Sequence, residues 1–233
     1  MKKSVFLMPV LALGVLGAAC SQTANNGNAT ANHGGMNHNS TARGNSTMNH
    51  NAMPMNAAGH DMSQMQHGEM KSDAGAASQP YDLQFIDTMT HHHEGAIQMS
   101  KMILGKTQNE ELERFAQKII DDQQKEIAQM KEWREKWFAG KAPAKNMEMP
   151  GMMDSMKMMS GDHMKMMETM SGKDSDTHFL DMMIPHHEGA LAMSKDALQK
   201  AEHAEIKTLA NNIIKAQDAE IKKMNDWKTA WAK

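Results

Sequence analysis

Residues 179–190 read FLDMMIPHHEGA, and residues 85–96 carry a second copy of the same motif, FIDTMTHHHEGA. The two copies are 94 positions apart, and this offset continues without a gap to the matched pair Trp137 and Trp231. Self-similarity at a constant offset is typical of a chain that contains one supersecondary unit twice. The duplication therefore predicts two structurally equivalent halves.

Each half is predicted to be a helical hairpin. In the first half, Pro80 suits the start of a helix and Gly105 suits its end. Thr107 and Glu110 resemble a capping box that opens a second helix reaching about Phe138. The apolar residues of that second helix have helical spacing, and they are Leu112, Phe115, Ile119, Ile120, Ile127, Met130 and Trp133.

Two such hairpins predict an all-α fold, an antiparallel four-helix bundle. We expect the first helical hairpin repeat at residues 80–138 and the second at residues 176–233. A Met-rich linker at residues 139–175 joins them.

That linker is long for a bundle, and its composition is unusual. Met recurs in it partly at helical spacing, which indicates an additional helix. A Met stripe is usually core filler or an adaptable partner surface. Leu, Ile and Val are absent from the linker sequence, which favours metal binding over packing alone. The auxiliary metal ligands predicted here are Met156, Met159, His163 and Met166.

The first 20 residues have the composition of a lipoprotein signal peptide. Met1-Lys2-Lys3 precede an apolar stretch that is too short to cross a membrane, and small residues stand directly before Cys20, as in a bacterial lipobox. Residues 1–20 therefore predict export to the bacterial cell envelope and a lipid anchor at Cys20, with the protein facing the periplasm or the cell surface. The alternative is a soluble periplasmic protein cleaved near Ala19.

Asn, Gly, Ala, Ser, Met and His dominate residues 21–79. Such a segment buries too little apolar area to offset its ordering entropy, so we expect a disordered tether. His and Met recur close together in it, which favours metal binding over an inert low-complexity linker. The auxiliary ligands predicted there are His60, Met62, Met65 and His67.

Composition narrows the chemistry of the whole chain. Met supplies 28 of the 233 residues, whereas aromatic residues make up only 4 %. The formal net charge of −3 lacks the basic surplus that attracts phosphate backbones, so nucleic acid is not an expected partner. Cys20 is the only cysteine, so the mature domain has neither disulfides nor thiolate ligands. Thioethers and imidazoles remain as its soft metal ligands.

The paired histidines of the two motifs form the strongest candidate site. Residues four or seven apart share a helix face, so the histidines of each motif have Met beside them. A lone His on an apolar face is more often a core residue, but matched His pairs with Met one turn away favour metal ligation. The predicted ligands are Met89, His92, His93 and Met99 in the first repeat, and Met182, Met183, His186, His187 and Met193 in the second.

Three matched pairs of polar residues are candidate hydrogen-bond partners of these histidines. They are Asp87 and Asp181, Glu94 and Glu188, and Gln123 and Gln217. The alternatives are solvent exposure for Glu and Gln, and stabilisation of an early helical turn for Asp. Gly95 and Gly189 predict a close helix contact beside the site, because Gly inside a helix costs about 1 kcal/mol relative to Ala.

Ligand softness predicts the metal. Imidazole and thioether without thiolate favour Cu(I), and by the same logic Ag(I). Zinc would more usually recruit Cys or carboxylate, and magnesium or calcium would require oxygen. A ferritin-like di-iron oxidase needs Glu-x-x-His on two helices, and neither repeat contains that spacing.

The two copies of the motif resemble the signature of the "domain of unknown function 305" family. The resemblance covers about residues 80–233, although Thr88, Thr90 and His91 in the first copy depart from the pattern. It implies a ferritin-like helical bundle, copper binding or resistance in the cell envelope, and ligand roles for His186, His187, Met193 and their first-repeat counterparts.

Three functions are compatible with these features. The first is a copper chaperone or sequestering lipoprotein, whose partners are metal ions, the membrane through Cys20, and copper efflux or chaperone proteins. The second is a ferritin-like metal oxidase. The third is a non-metal, partner-binding envelope lipoprotein with a Met-rich surface.

Overall fold

The computed structural model describes residues 71–232, and this range is all-α. A short 3-10 turn, Ala76–Ser78, precedes six α-helices in the described part of the chain. Their bounds are α1 Tyr81–Leu104, α2 Glu110–Phe138, α3 Met152–Lys157, α4 Gly161–Thr169, α5 Gly172–Lys200 and α6 Ala204–Trp231. The predicted all-α bundle is confirmed, and none of the helices described is long and apolar enough to cross a membrane.

Helices α1 and α5 form the centre of the bundle. Each packs along its own hairpin partner, α1 on α2 and α5 on α6, and α1 also packs directly against α5. Side chains connect the outer helices α2 and α6: Lys118 Nζ lies 2.8 Å from Glu220 Oε1, and the ring of Phe115 meets Trp227 edge to face at 5.1 Å. The motif copies lie on α1 and α5, so both are inside.

Two helix starts differ from the sequence prediction. Asn109, rather than Thr107, caps α2, because its side chain accepts hydrogen bonds from the backbone N–H groups of Glu111 and Leu112. Helix α5 begins at Gly172 instead of near Asp176 and continues through Pro185. The expected linker therefore ends four residues earlier than its composition indicated.

The Met-rich linker folds into α3 and α4, which pack on α5 and α1. Met152, Met164 and Met167 from these helices join the hydrophobic core. Met153 and Met166 stay 40 % and 44 % exposed. The linker therefore supplies both core packing and surface thioethers, and metal binding by the linker stays a prediction.

The predicted tether ends earlier than residue 79. The backbone N–H of Asp73 donates to Lys145 O at 2.8 Å, and the Asp73 carboxylate accepts from Lys145 N at 2.7 Å. Ser72 Oγ accepts from Met147 N at 2.9 Å, and Ala76 is fully buried. Residues 72–79 thus belong to the fold. The segment lacks branched aliphatic residues, and hydrogen bonds from Ser72 and Asp73 to the linker hold it in place. The predicted signal peptide, Cys20 and the four predicted tether ligands lie outside the described residues.

Candidate metal centre

The two motif copies meet where α1 packs against α5. His92 from α1 and His186 from α5 are both 0 % exposed. The centroids of their imidazole rings are 3.7 Å apart, and the ring planes are inclined by 35°. Residues 94 positions apart in the sequence therefore become direct neighbours in the core.

Glycine in each motif allows this close approach. A Cβ built on Gly95 would stand 2.7 Å from Met159 Cε and 3.3 Å from His186 Nε2. A Cβ on Gly189 would overlap the Ser155 side chain and stand 2.6 Å from Gly151 O. The predicted close contact beside the site is present, but the linker provides much of it.

The second histidine of each motif is held by a carboxylate. His93 Nε2 lies 2.6 Å from Glu126 Oε2, and His187 Nε2 lies 3.0 Å from Glu220 Oε2. An ionised carboxylate only accepts hydrogen bonds, so Nε2 carries the proton in both rings. The other ring nitrogen, Nδ1, then presents a lone pair that a metal ion can use.

These two carboxylates were missed by sequence reasoning. Glu126 and Glu220 are themselves 94 residues apart, and each follows a predicted Gln partner, Gln123 or Gln217, by one turn. The duplicated pattern could therefore have identified them. They were missed because a Glu on an amphipathic helix is usually solvated.

Buried imidazole nitrogens are the main anomaly of this core. Both nitrogens of His92 and of His186 have no hydrogen-bond partner among the described residues, and the same holds for Nδ1 of His93 and of His187. A buried polar group left unsatisfied costs about 1–3 kcal/mol. Since both motif copies keep these six nitrogens without a protein partner, the site suits a ligand that accepts imidazole lone pairs.

The electrostatics keep the central rings neutral. Burial, followed by the neighbouring imidazoles, holds the pKa of His92 and of His186 well below the usual range. Burial would raise the pKa of Glu220, but hydrogen bonds from His187 and Lys118 outweigh it and lower that pKa. The centre therefore combines neutral nitrogen donors inside with an ionised carboxylate behind His187.

The predicted thioether ligands are all buried around the same two helices. Met89 and Met193 belong to one hydrophobic cluster of the core. Met99, Met182 and Met183 belong to the other. Each cluster takes Met from both repeats, so thioethers from both copies are present in the core that α1 and α5 share.

No three His, Cys, Asp or Glu side chains within residues 71–232 are grouped so that they could hold a metal ion. Imidazoles on consecutive helix positions diverge, and the ring centroids of His92 and His93 are 6.2 Å apart. A metal at the His92–His186 contact would therefore need further donors besides these two imidazoles.

Four of the six predicted hydrogen-bond partners have other environments, which corrects the sequence interpretation. Asp87 accepts hydrogen bonds from Arg134 Nε and Ala144 N, both at 2.8 Å, and so anchors the linker. Asp181 pairs with Lys228 at 2.6 Å near the surface. Glu94 is half-buried and Glu188 is exposed.

Gln123 and Gln217 do lie inside the bundle. Both are buried, and their Oε1 atoms have no hydrogen-bond partner within the described range. They stay candidates for contacts with a bound ion or its ligands.

The auxiliary ligands of the linker are dispersed. Met159 lies against Gly95, close to the His186 ring, whereas Met156 is half-buried against the core and Met166 is largely exposed. His163 on α4 stacks at 5.7 Å on His178 of α5. His178 was not among the predicted ligands.

A family model described as a domain of unknown function, DUF305, matches residues 19–134 and again residues 82–228. A DUF305 protein from Streptomyces coelicolor has a similar fold, with a TM-score of 0.59 and 28 % identity over 66 % of this chain and 93 % of that chain. CopM in its Cu(I)-bound form gives a TM-score of 0.53 and 35 % identity over 64 % of this chain and 96 % of that chain.

CopM in its Cu(II)-bound form gives a TM-score of 0.55 and 37 % identity over 64 % of this chain and 97 % of that chain. Structures of CopM in Ag-bound and apo forms are also similar. An uncharacterized protein of Acanthamoeba polyphaga mimivirus is 44 % identical over 50 residues, which are 22 % of this chain. That match spans about a third of the length of the viral protein, 33 %.

Proposed function

This chain belongs to the DUF305 family, and we propose that it is an envelope copper-binding protein that sequesters or carries Cu(I) in the core of its helical bundle. The bound ion is the cargo of the protein. The same ligands would take Ag(I), because both ions are soft. CopM, a structural relative with Cu(I)-, Cu(II)- and Ag-bound forms, supports this proposal.

The single observation that carries the proposal is the His92–His186 contact. Two fully buried imidazoles lie 3.7 Å apart with no protein partner for any of their four nitrogens in the described chain. The core formed around α1 and α5 also contains the buried thioethers of Met89, Met99, Met182, Met183 and Met193, and Met159 lies between Gly95 and the His186 ring. Such a donor set prefers a soft cation to water.

Glu126 and Glu220 would act from outside the ligand set. Each holds one imidazole by its protonated Nε2 and leaves Nδ1 free inside the bundle. This carboxylate–histidine arrangement is the usual support of a histidine metal ligand, since it fixes the tautomer and raises the basicity of the free nitrogen. His93 and His187 are therefore ligands or reserve ligands of the same centre.

The oxidase alternative has weaker support. Di-iron sites need several inward carboxylates around one point, whereas Glu126 and Glu220 are each hydrogen-bonded to a separate histidine. Aerobic oxidation of Fe(II) faster than the uncatalysed rate would favour that alternative.

Competition for Cu(I) tests the proposal. Metal-free protein is titrated with Cu(I) in the presence of a chromogenic chelator, and the variant with His92, His93, His186 and His187 all replaced by Ala is compared with the wild type. We expect the wild type to withdraw copper and the variant to lose the tight component. His91→Ala is the matched control, because His91 is half-buried and stands directly before the pair. Equal competition by wild type and quadruple variant would overturn the proposed bundle site.

The proposed location is the bacterial cell envelope, with residues 1–20 as the export signal and Cys20 as the lipid attachment point. Met and His of residues 21–70 would then add weaker copper ligands next to the membrane. Cys20→Ala should release the protein from the membrane fraction, and unchanged fractionation would remove the anchor from the proposal.

A further inference from the structure

His163 and His178 form a second pair of imidazoles, separate from the bundle centre. His163 lies on α4 and His178 near the start of α5, and both are half-buried. Their ring centroids are 5.7 Å apart and the planes differ by only 20°. A metal ion bound by one nitrogen of each ring at about 2.0–2.1 Å would place the ring centres about 6 Å apart. The observed centroid distance is within that reach. Because the lone pairs lie in the ring planes, a rotation of the stacked rings about their side-chain bonds would turn one nitrogen of each towards a shared ion.

The hydrogen bonding of the pair leaves nitrogen lone pairs available. His178 Nε2 lies 3.1 Å from the backbone oxygen of His163. A carbonyl oxygen only accepts, so Nε2 of His178 carries the proton and Nδ1 has the free lone pair. His163 Nδ1 is buried and has no partner within residues 71–232. Both rings therefore retain a donor nitrogen.

His178 also begins a line of soft ligands along α5. His178, Met182 and His186 are spaced by four residues, so they follow one face of the helix at steps of about 6 Å. Burial increases along this line, from half-buried His178 to Met182 at 1 % and His186 at 0 % exposure. The line connects the partly exposed imidazole pair with the buried centre.

The first repeat has no such line. The positions equivalent to His178 and Met182 are Gln84 and Thr88. Both bind Asn146 of the linker: Gln84 Oε1 accepts from Asn146 Nδ2, and Thr88 Oγ1 accepts from Asn146 N, each at 2.8 Å. On α1 the equivalent residues are thus used in hydrogen bonds that hold the linker. The row of imidazole and thioether side chains is present on α5 and not at the equivalent positions of α1.

We infer that His163 and His178 form a loading site that first captures a copper ion, which then moves past Met182 to the His92–His186 centre. The ion stays Cu(I) throughout, because each step only exchanges ligands and transfers no electron. This inference rests on the proposed function, since it needs the bundle centre as the destination. It adds a one-sided route into a site that is built from two matched motif copies.

The test measures the rate of Cu(I) uptake separately from the amount of copper bound at equilibrium. Metal-free protein is mixed with the Cu(I) complex of a chromogenic chelator in a stopped-flow instrument, and the loss of colour is followed. His163→Gln is the first variant, because the hydrogen bond of His178 uses the backbone oxygen of residue 163 and survives the substitution. We expect the uptake rate to fall about tenfold, which corresponds to about 1.4 kcal/mol in the activation free energy, while the copper retained at equilibrium by the bundle centre is unchanged. The double variant with His178→Gln should be at least as slow.

The control variant carries Met153→Leu, which removes an exposed linker thioether that is not among the predicted ligands. Its uptake rate should equal that of the wild type. An unchanged rate in the His163→Gln variant, with normal equilibrium competition, would overturn the loading site while leaving the bundle centre intact. Absence of competition in the wild type would instead overturn the proposed function.

Discussion

The carboxylate of Glu126 lies 2.6 Å from Nε2 of His93, and the equivalent contact in the second repeat, between Glu220 and His187, measures 3.0 Å. Four residues from two hairpins thus reproduce one arrangement, a carboxylate on the outer helix behind an imidazole on the inner helix. Glu220 additionally accepts from Lys118 Nζ at 2.8 Å, which crosses between α2 and α6.

Replacing either carboxylate should weaken copper binding without emptying the centre. In Glu126→Gln or Glu220→Gln the amide keeps the shape but removes the negative charge that supports the imidazole. We expect a loss of about 10–100-fold in Cu(I) affinity, measured by chelator competition. Glu188→Gln, at an exposed position, is the matched control and should bind as the wild type. Wild-type affinity in both test variants would remove the carboxylates from the site.

The linker contact at Gly189 should be intolerant of a single methyl group. In Gly189→Ala the new Cβ meets Ser155 and Gly151 O, so strain outweighs the gain in helix propensity. We expect the free energy of unfolding to fall by about 1–3 kcal/mol in a urea titration. Gly105→Ala is the control, because its Cβ has only Met102 O at 3.7 Å within reach. Equal midpoints for both variants would contradict the tight packing.

Stability of the metal-free protein should decrease in mild acid. The pKa of His92 and of His186 is well below the ordinary value in the folded state, so the unfolded chain takes up protons first as the pH falls below about 6.5. Stability is therefore fully present above that pH and is lost as the pH falls toward the folded pKa, by up to about 1.4 kcal/mol per pH unit for each group. Urea midpoints between pH 7.5 and 5 measure this loss. The variant with His92→Gln and His186→Gln should show a flatter dependence, and an equally steep one would refute the assignment.

Asp87 and its counterpart Asp181 should respond differently to the same substitution. Asp87→Asn removes the negative charge of the carboxylate that accepts hydrogen bonds from Arg134 Nε and Ala144 N. We expect the free energy of unfolding to fall by about 1–3 kcal/mol. Asp181→Asn breaks a surface pair with Lys228 and should cost about 0–1 kcal/mol. Limited proteolysis after residue 139 gives a second measure, because only the first variant loosens the linker. Identical urea midpoints would show that Asp87 does not anchor it.

The repeat made much of this fold predictable. A constant offset of 94 residues located both hairpins and paired His92 with His186 before any geometry was known. Helical spacing of apolar residues predicted where α2 runs. These features are local or periodic, so they can be recognised in a single sequence.

The remaining features depend on contacts between segments that have no shared pattern. Asp73 joins Lys145, and Ser155 covers Gly189, across many residues of chain. In the sequence, Glu126 and Glu220 have the pattern of solvent-exposed helix residues. Only the packing of the helices shows that they contact His93 and His187. His178 has no counterpart in the first repeat and only becomes notable beside His163.

Duplication within one chain also determines how the centre responds to dilution. If each hairpin were a separate protein, the His92–His186 contact would exist only in a dimer and would be lost at low concentration. Covalent connection through residues 139–171 instead fixes the effective concentration of one hairpin relative to the other. The contact between the two motif copies therefore forms within each single molecule and does not depend on the protein concentration.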